Sequence, residues 1–520
     1  MDEAPPISRP SLFRNMLINV GGRGLLTLLA LVVTPVLVRR LGTDGYGIYV
    51  IAFSLGGLLS ILDLGLTPAV VRLLSRAWHL QDKPRMEQII GTAITTYLAV
   101  GVVFGGIVAM LVPWLTTSVL HIAPNLRSAA QVALWLSTAG FLLNLMYAVF
   151  NAVPVALERF DLTVLRAVAV SLLTSAAVIV YALTGGGLVG VMVINVVGNA
   201  VAVALFIAVS RFLLPGLHMR PQFNRDIFLA IARFSGFKFA GSLGGLLTYR
   251  FDQIAIGAFL GVRAAGVYVV PATAATRVVA LLTDMVLPLF PRISKVTADP
   301  AAIRSLLLRT TRMMALLAAP AFTVLFVFAD PIIRAWIGGD EGRVLAIEGA
   351  STLRWLAAAS LIQAIAVVPV IVSEAAGKPE INNGFAVLSA IINVPLVLIL
   401  VPRLGIEGAA IAFFINSATQ TVVFIFYAAR RFAQVTVRQL IAEALARPLV
   451  AAGIAGAVGA LIHPQVTGDV SLILALLLVF GLYAVLARLM SAITGEDREY
   501  LAAFVSRLHG PLNRDAAQVR

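Results

Sequence analysis

The 520-residue chain has no cysteine, which excludes disulfides, thiolate metal sites and a thiol nucleophile. Histidine is scarce. His79, His121, His218, His463 and His509 all fall between or beyond the apolar runs, so a histidine proton relay inside a membrane is not expected. No close spacing of histidines and carboxylates suggests a metal site, and no cofactor-binding motif stands out. Charged residues make up only 12% of the chain, about half the fraction of an ordinary soluble domain. There is no DxD pair, and the non-basic loops are short. A membrane glycosyltransferase or glycan polymerase, which needs catalytic groups on sizeable outer loops, is therefore disfavoured.

What the chain does have is apolar length: 60% hydrophobic residues and a mean hydropathy of +0.96. Fourteen segments are long enough to span a bilayer, at 15–38, 46–71, 88–113, 128–156, 163–184, 188–210, 234–260, 264–290, 306–329, 351–373, 382–401, 406–429, 447–463 and 470–490. They are continuously apolar rather than alternating, so the expected fold class is an all-α polytopic membrane protein, not a barrel. The opening MDEAPPISRP is polar and no small-residue cleavage site follows the first run, so helix 1 is expected to remain as a signal anchor.

The net charge of +14 is distributed unevenly. Of 39 Lys and Arg, 28 fall in the N-terminus, the alternate loops and the tail, 7 in the opposite loops, and 4 (Arg23, Arg250, Arg277, Arg354) within helices. This asymmetry follows the positive-inside rule and places both termini in the cytoplasm. It accounts for the basic balance without nucleic acid.

The sequence also repeats. Leu41, Gly42, Gly47 and Tyr49 recur 219 residues on as Leu260, Gly261, Gly266 and Tyr268, and Gly187 and Gly190 recur at an offset of 218 as Gly405 and Gly408. The offset maps helices 1–6 onto helices 7–12. Six is even, so two six-helix lobes enter the membrane in the same orientation, a parallel repeat. The expected organisation is an N-terminal lobe at 1–212, a C-terminal lobe at 213–440, and helices 13–14 with a cytoplasmic tail at 441–520. A polar linker, RFLLPGLHMRPQFNRDIF at 211–228, joins the lobes. The longest outer loop is expected around 330–350, with Asp330, Asp340, Glu341 and Glu348. In the tail, Tyr500, Leu501, Phe504 and Leu508 have the spacing of a short amphipathic surface helix.

Asn15 and Asn19 open helix 1, RRLGTDGYGIY ends the first loop, and ILDLGLTPAVVRLLS, with Asp63, Gly65, Arg72 and Ser75, closes helix 2. With the GLVG and GIEG openings of helices 6 and 12, the chain resembles the polysaccharide biosynthesis family of lipid-linked oligosaccharide flippases. That family lies in the superfamily of multidrug and toxic compound extruders and peptidoglycan lipid flippases. The resemblance implies two lobes forming a V around a central cavity. It also implies a polyprenyl-pyrophosphate-linked glycan carried across the bacterial inner membrane, with the lipid bilayer and the pathway's glycan polymerase and glycosyltransferases as partners. Most oligosaccharide flippases have twelve helices and the peptidoglycan lipid flippases have fourteen, which keeps a peptidoglycan precursor open as the alternative substrate.

Ionisable residues at membrane depth cost at least ~2.5–3.5 kcal/mol on insertion scales, so each is a candidate for function. Arg23 lies about 13 Å inside helix 1 from Arg14 at helical rise, with Asn19 on the same face. Arg250 sits in the second half of helix 7 and Arg277 near the middle of helix 8. Arg23, Arg250, Arg277 and Asn19 are candidates to line the cavity and hold pyrophosphate, for which a planar permanent cation is suited. The alternative is pairing with acids, though Arg277 and Asp284 lie about 10 Å apart along the axis and Arg250 and Asp252 project in different directions. Asp63 and Asp284, each shortly before a proline, either bind a coupling ion or accept hydrogen bonds at a helix bend. Arg354 is close enough to its expected helix end to snorkel. A multidrug or cation antiporter remains the nearest rival, but it favours carboxylates over arginines in its cavity.

Overall fold

A computed structural model describes residues 12–59, 66–286 and 300–492. Apolar runs of this length satisfy every backbone polar group internally only as helices, and no strand occurs among the described residues. In chain order the helices are α1 Leu12–Leu59, α2 Leu66–His79, α3 Lys83–Trp114, α4 Pro124–Ala156, α5 Phe160–Leu183, α6 Leu188–Leu213, α7 Arg225–Tyr249, α8 Phe251–Leu260, α9 Val262–Val286 and α10 Pro300–Val327. There follow α11 Ala329–Ile337, α12 Gly339–Ala375, α13 Pro379–Leu404, α14 Ile406–Ala433, α15 Val437–Gln465 and α16 Asp469–Leu489. Twelve helices among the described residues are long and apolar enough to cross a membrane. One of them, α1, turns at Gly42 and so contributes two crossings, while α7 and α8 together contribute another. The total agrees with the fourteen read from the sequence.

The repeat is written into the backbone. Gly42 has φ 70° and ψ 171°, and Gly261 has φ 87° and ψ 169°, the same turn in a region where only glycine is unstrained. Five residues further on, Gly47 and Gly266 face each other where α1 crosses α9. A Cβ on Gly47 would lie 1.8 Å from the Val262 carbonyl oxygen, and one on Gly266 would lie 2.5 Å from that of Thr43. The second glycine pair does not repeat its backbone: Gly187 is extended at φ −91°, whereas Gly405 has φ 66°.

Buried apolar side chains divide unequally along the membrane normal. At the Gly42 end one core is shared by both lobes, with Leu37, Tyr46 and Ile51 packed against Val262, Ala265, Tyr268 and Ile337. At the His79 end each lobe has its own core, around Leu74, Met86 and Phe206 in one and Leu307, Met314 and Ile425 in the other. Three hydrogen bonds stitch the lobes. Arg39 Nε donates to the Ile337 carbonyl, Trp336 Nε1 donates to the Leu31 carbonyl at 2.8 Å, and the buried Ser54 hydroxyl donates to Gln253 Oε1. Helix α7 bridges the lobes: Ile227 and Ile231 near its start join the N-terminal core, while a Cβ on Gly244 would meet the Ala386 backbone of α13 at 2.6 Å.

The stretch around 330–350 is helical rather than a loop. Asp340 and Glu341 occupy the first turn of α12, where carboxylates favour a helix N-terminus, so the polarity that reads as a loop begins a helix twelve residues early. Helices α15 and α16 pack on α10 through Ala451, Ala455, Val479 and Tyr483, whose hydroxyl donates to the Leu316 carbonyl at 2.9 Å. The amphipathic pattern at 500–508 lies outside the described residues.

Candidate functional site

The break between α7 and α8 positions the central charge. Arg250 takes φ −133° and ψ −22°, with no proline nearby to impose it. The Gln253 amide, which would bond the Tyr249 carbonyl in a continuous helix, instead donates to Asp252 Oδ1 at 2.8 Å. A side chain competing for the backbone in this way ends one helix and caps the next. Asp252 is buried, and its other oxygen accepts from the Tyr268 hydroxyl. Asp252 therefore serves the bend and does not open onto a cavity.

Freed by the break, Arg250 leaves the C-terminal lobe and lines a cavity of about 260 Å³ in the N-terminal one. The walls come from α1 (Phe53, Gly56, Gly57), α4 (Ser137, Gly140, Asn144) and α6 (Asn195, Asn199). A Cβ on Gly57 would stand 4.0 Å from Arg250 Nε, so the glycine leaves the guanidinium its room. Arg277, half-buried on α9, is near enough for its charge to act on that of Arg250 and on Tyr46. One guanidinium and three amides thus face one space, with a second positive charge acting on the first from Arg277, an arrangement that attracts an anion and offers hydrogen bonds to a polar headgroup.

A second cavity of about 130 Å³ lies within the C-terminal lobe, lined by Thr248, Tyr249, Gln363, Asn382, Ser389, Gln420 and Thr421. It carries no charge. Its side chains bond one another, with Tyr249 donating to Gln363 Oε1 at 3.2 Å and Gln363 Nε2 to Ser417 Oγ at 3.1 Å and Thr421 Oγ1 at 3.2 Å. A π-helical segment at Ser417–Thr421 turns these polar groups inward, a distortion often found at functional sites.

The remaining candidates fall elsewhere. Asn19 and Arg23 lie on α1, outside the residues whose side chains are described, and Asp63 lies outside the described residues. Asp284 sits half-buried near the end of α9 and has an interaction of its own. Arg354 lies fifteen residues into α12, and its guanidinium is 3.7 Å from Asp330, which also binds His463 Nε2 at 2.8 Å. Sequence reasoning did not single out Asn199 or Ser137, because lone amides and hydroxyls in apolar helices carry no spacing signal.

Residues 36–340 match the family described as polysaccharide biosynthesis protein. A Shigella flexneri protein described as an O-antigen transporter is 23% identical over 413 residues, covering 78% of this chain and 95% of that one. A Haloferax volcanii protein described as a low-salt glycan biosynthesis flippase is 27% identical over 216 residues, covering 40% and 43%. Among solved structures, the lipid II flippase MurJ in an inward closed conformation superposes with a TM-score of 0.74 at 11% identity, over 92% of this chain and 99% of that one. An inward-facing multidrug resistance transporter of the MATE family superposes at 0.63 and 15% identity, over 81% and 98%. At such identities the structures establish a common fold, whereas the family match extends over more than half of the sequence: the chain belongs to the polysaccharide biosynthesis protein family.

Proposed function

We propose that the protein is a flippase rather than an enzyme, moving a polyprenyl-diphosphate-linked oligosaccharide from the cytoplasmic to the outer leaflet of the bacterial inner membrane by alternating access. The observation that carries this reading is Arg250, released by a helix break to face an asparagine-lined cavity of the opposite lobe, with the charge of Arg277 acting on it and no carboxylate among the residues that line the cavity. A cavity of about 260 Å³ is smaller than the ~300–1,000 Å³ that encloses a drug-sized ligand. It suits the charged headgroup, with the prenyl chain left in lipid and the glycan outside the cavity. The two relatives described as a transporter and a flippase of glycan pathways support the same reading.

Orientation follows from charge. Arg72, Arg76, Lys83, Arg85, Arg430 and Arg431 all lie at the His79 end, which the positive-inside rule makes cytoplasmic. The lobes then share one core toward the outer face and hold separate cores toward the inner face. Reporter fusions after Leu80 and Pro221 are expected to score as cytoplasmic, and fusions near Thr117 and Gly339 as external. Pro221 and Gly339 scoring on one side would overturn the orientation.

The function itself is tested in liposomes carrying a fluorescent polyprenyl-diphosphate trisaccharide and a membrane-impermeant quencher. Purified protein is expected to raise the rate of leaflet exchange at least ~10-fold over protein-free liposomes, about 1.4 kcal/mol in barrier. Equal rates would reject the flippase reading. Faster exchange of a peptidoglycan precursor than of the oligosaccharide would move the substrate to that class.

A further inference from the structure

We propose that Arg166, laid against the rings of Tyr147 and Phe206 with Asn151 and Thr163 beside it, is a second phosphate-binding site. On the flippase reading above, it takes the diphosphate of the lipid-linked substrate before Arg250 and Arg277 do. Arg166 is the seventh residue of α5, about 9 Å from the helix start. Its guanidinium carbon stands 4.2 Å from the Tyr147 ring centroid and 4.8 Å from that of Phe206, and the two rings meet edge to face at 5.4 Å. Stacking engages the face of the guanidinium and leaves its N–H donors in the plane free for an anion. One of them, Nε, is buried with no partner.

The acid nearest in sequence is already committed. Asp161 accepts from Arg159 Nε at 3.0 Å and Nη2 at 2.9 Å. Among the described residues no carboxylate pairs with this cation, which leaves its charge available to a visiting anion. Two further unpartnered atoms lie on neighbouring turns of the same helices. Asn151 Oδ1 and Thr163 Oγ1 are buried without partners, the first one turn from Tyr147 on α4 and the second one turn from Arg166 on α5. A threonine hydroxyl donates readily, and an amide presents its nitrogen by rotation about its last torsion.

Position makes the site a waypoint. On α4, Asn144 of the central cavity, Tyr147 and Asn151 follow one face, and on α6 Asn199 of the cavity precedes Phe206 by two turns. Arg166 therefore lies about 10 Å from the cavity toward the His79 end. Leu165 and Leu173 beside it are 65% and 70% exposed, an apolar stripe along which a lipid chain stays in the bilayer while its diphosphate reaches the guanidinium.

The test uses purified full-length protein in nanodiscs, with geranylgeranyl diphosphate as probe and phosphatidylglycerol as competitor. The Arg250→Ala, Arg277→Ala variant removes the central site and is expected to keep measurable binding of the probe. Adding Arg166→Gln is expected to weaken that binding about tenfold or more, as loss of a charge-assisted contact does, and Arg166→Lys to weaken it less. Should the glutamine variant not fold, Thr163→Val in the same background is expected to lower affinity and serves in its place. Residual binding that neither substitution changes overturns the site, whatever the flipping assay shows. Phosphatidylglycerol displacing the probe at equal concentration assigns the pocket to bilayer headgroups and overturns the loading role. Failure of the flippase reading shows instead in the wild-type liposome assay, which leaves Arg166 intact.

Discussion

Replacing both Arg250 and Arg277 by alanine is expected to stop glycan export while leaving the amount of protein in the membrane unchanged. Hydrogen bonds to charged groups contribute about 1.5–3 kcal/mol each, so if both guanidiniums hold the diphosphate as proposed, losing them reduces transport by roughly three orders of magnitude. The single variants should fall short of half that effect. Each arginine raises the electrostatic cost of the other, and removing one relieves the strain on its neighbour, so the two substitutions are coupled rather than additive. Lysine at either position keeps the charge but not the bidentate geometry and should restore export in part. Surface glycan measured by immunoblot against membrane protein level separates transport from folding. Both carry the same polarity of prediction for Asp252→Asn, but through a different route: that change loosens the bend that aims Arg250. Wild-type export in the double alanine variant would place the substrate site elsewhere.

The helices and the internal repeat were legible because their signals are local. Apolar length specifies a crossing, and a glycine needed at positive φ, as at Gly42 and Gly261, or at a close helix crossing, as at Gly47 and Gly266, leaves the same residue at the same spacing in both halves. Arg250 was visible as an intramembrane charge. What aims it was not, since the break comes from the Asp252 side chain taking the Gln253 amide, an event with no periodicity to read. Arg166 escaped notice for a related reason. Grouped with the loop charges although it falls in the first turn of the span expected at 163–184, it belongs to a helix that starts at Phe160, where Arg159 and Asp161 look like loop but pair across the first turn. The same misreading of polarity made a loop of the start of α12. The cavity walls were the least legible part, because Ser137, Asn144 and Asn199 acquire meaning only when α1, α4 and α6 converge.

Joining the lobes covalently at the Gly42 end is expected to arrest transport. The shared core there, the crossing at Gly47 and Gly266 and the hydrogen bonds from Arg39, Trp336 and Ser54 all close the end that the proposed orientation makes external. Releasing a headgroup outward requires every one of these contacts to part. Asp44 and Arg263 offer the handle: both are exposed, they sit on opposite lobes, and the carboxylate acts electrostatically on the guanidinium. Asp44→Cys with Arg263→Cys, in a chain with no other cysteine, can be bridged by a thiol-reactive linker containing a disulfide. Bridged protein should export at least ~10-fold more slowly, and reductant should restore the rate, while each single variant treated alike should be unaffected; the change corresponds to about 1.4 kcal/mol on the slowest step. A fully bridged population that exports normally would mean the two lobes stay joined at this end throughout the cycle, and the exit path would then have to open between helices of one lobe.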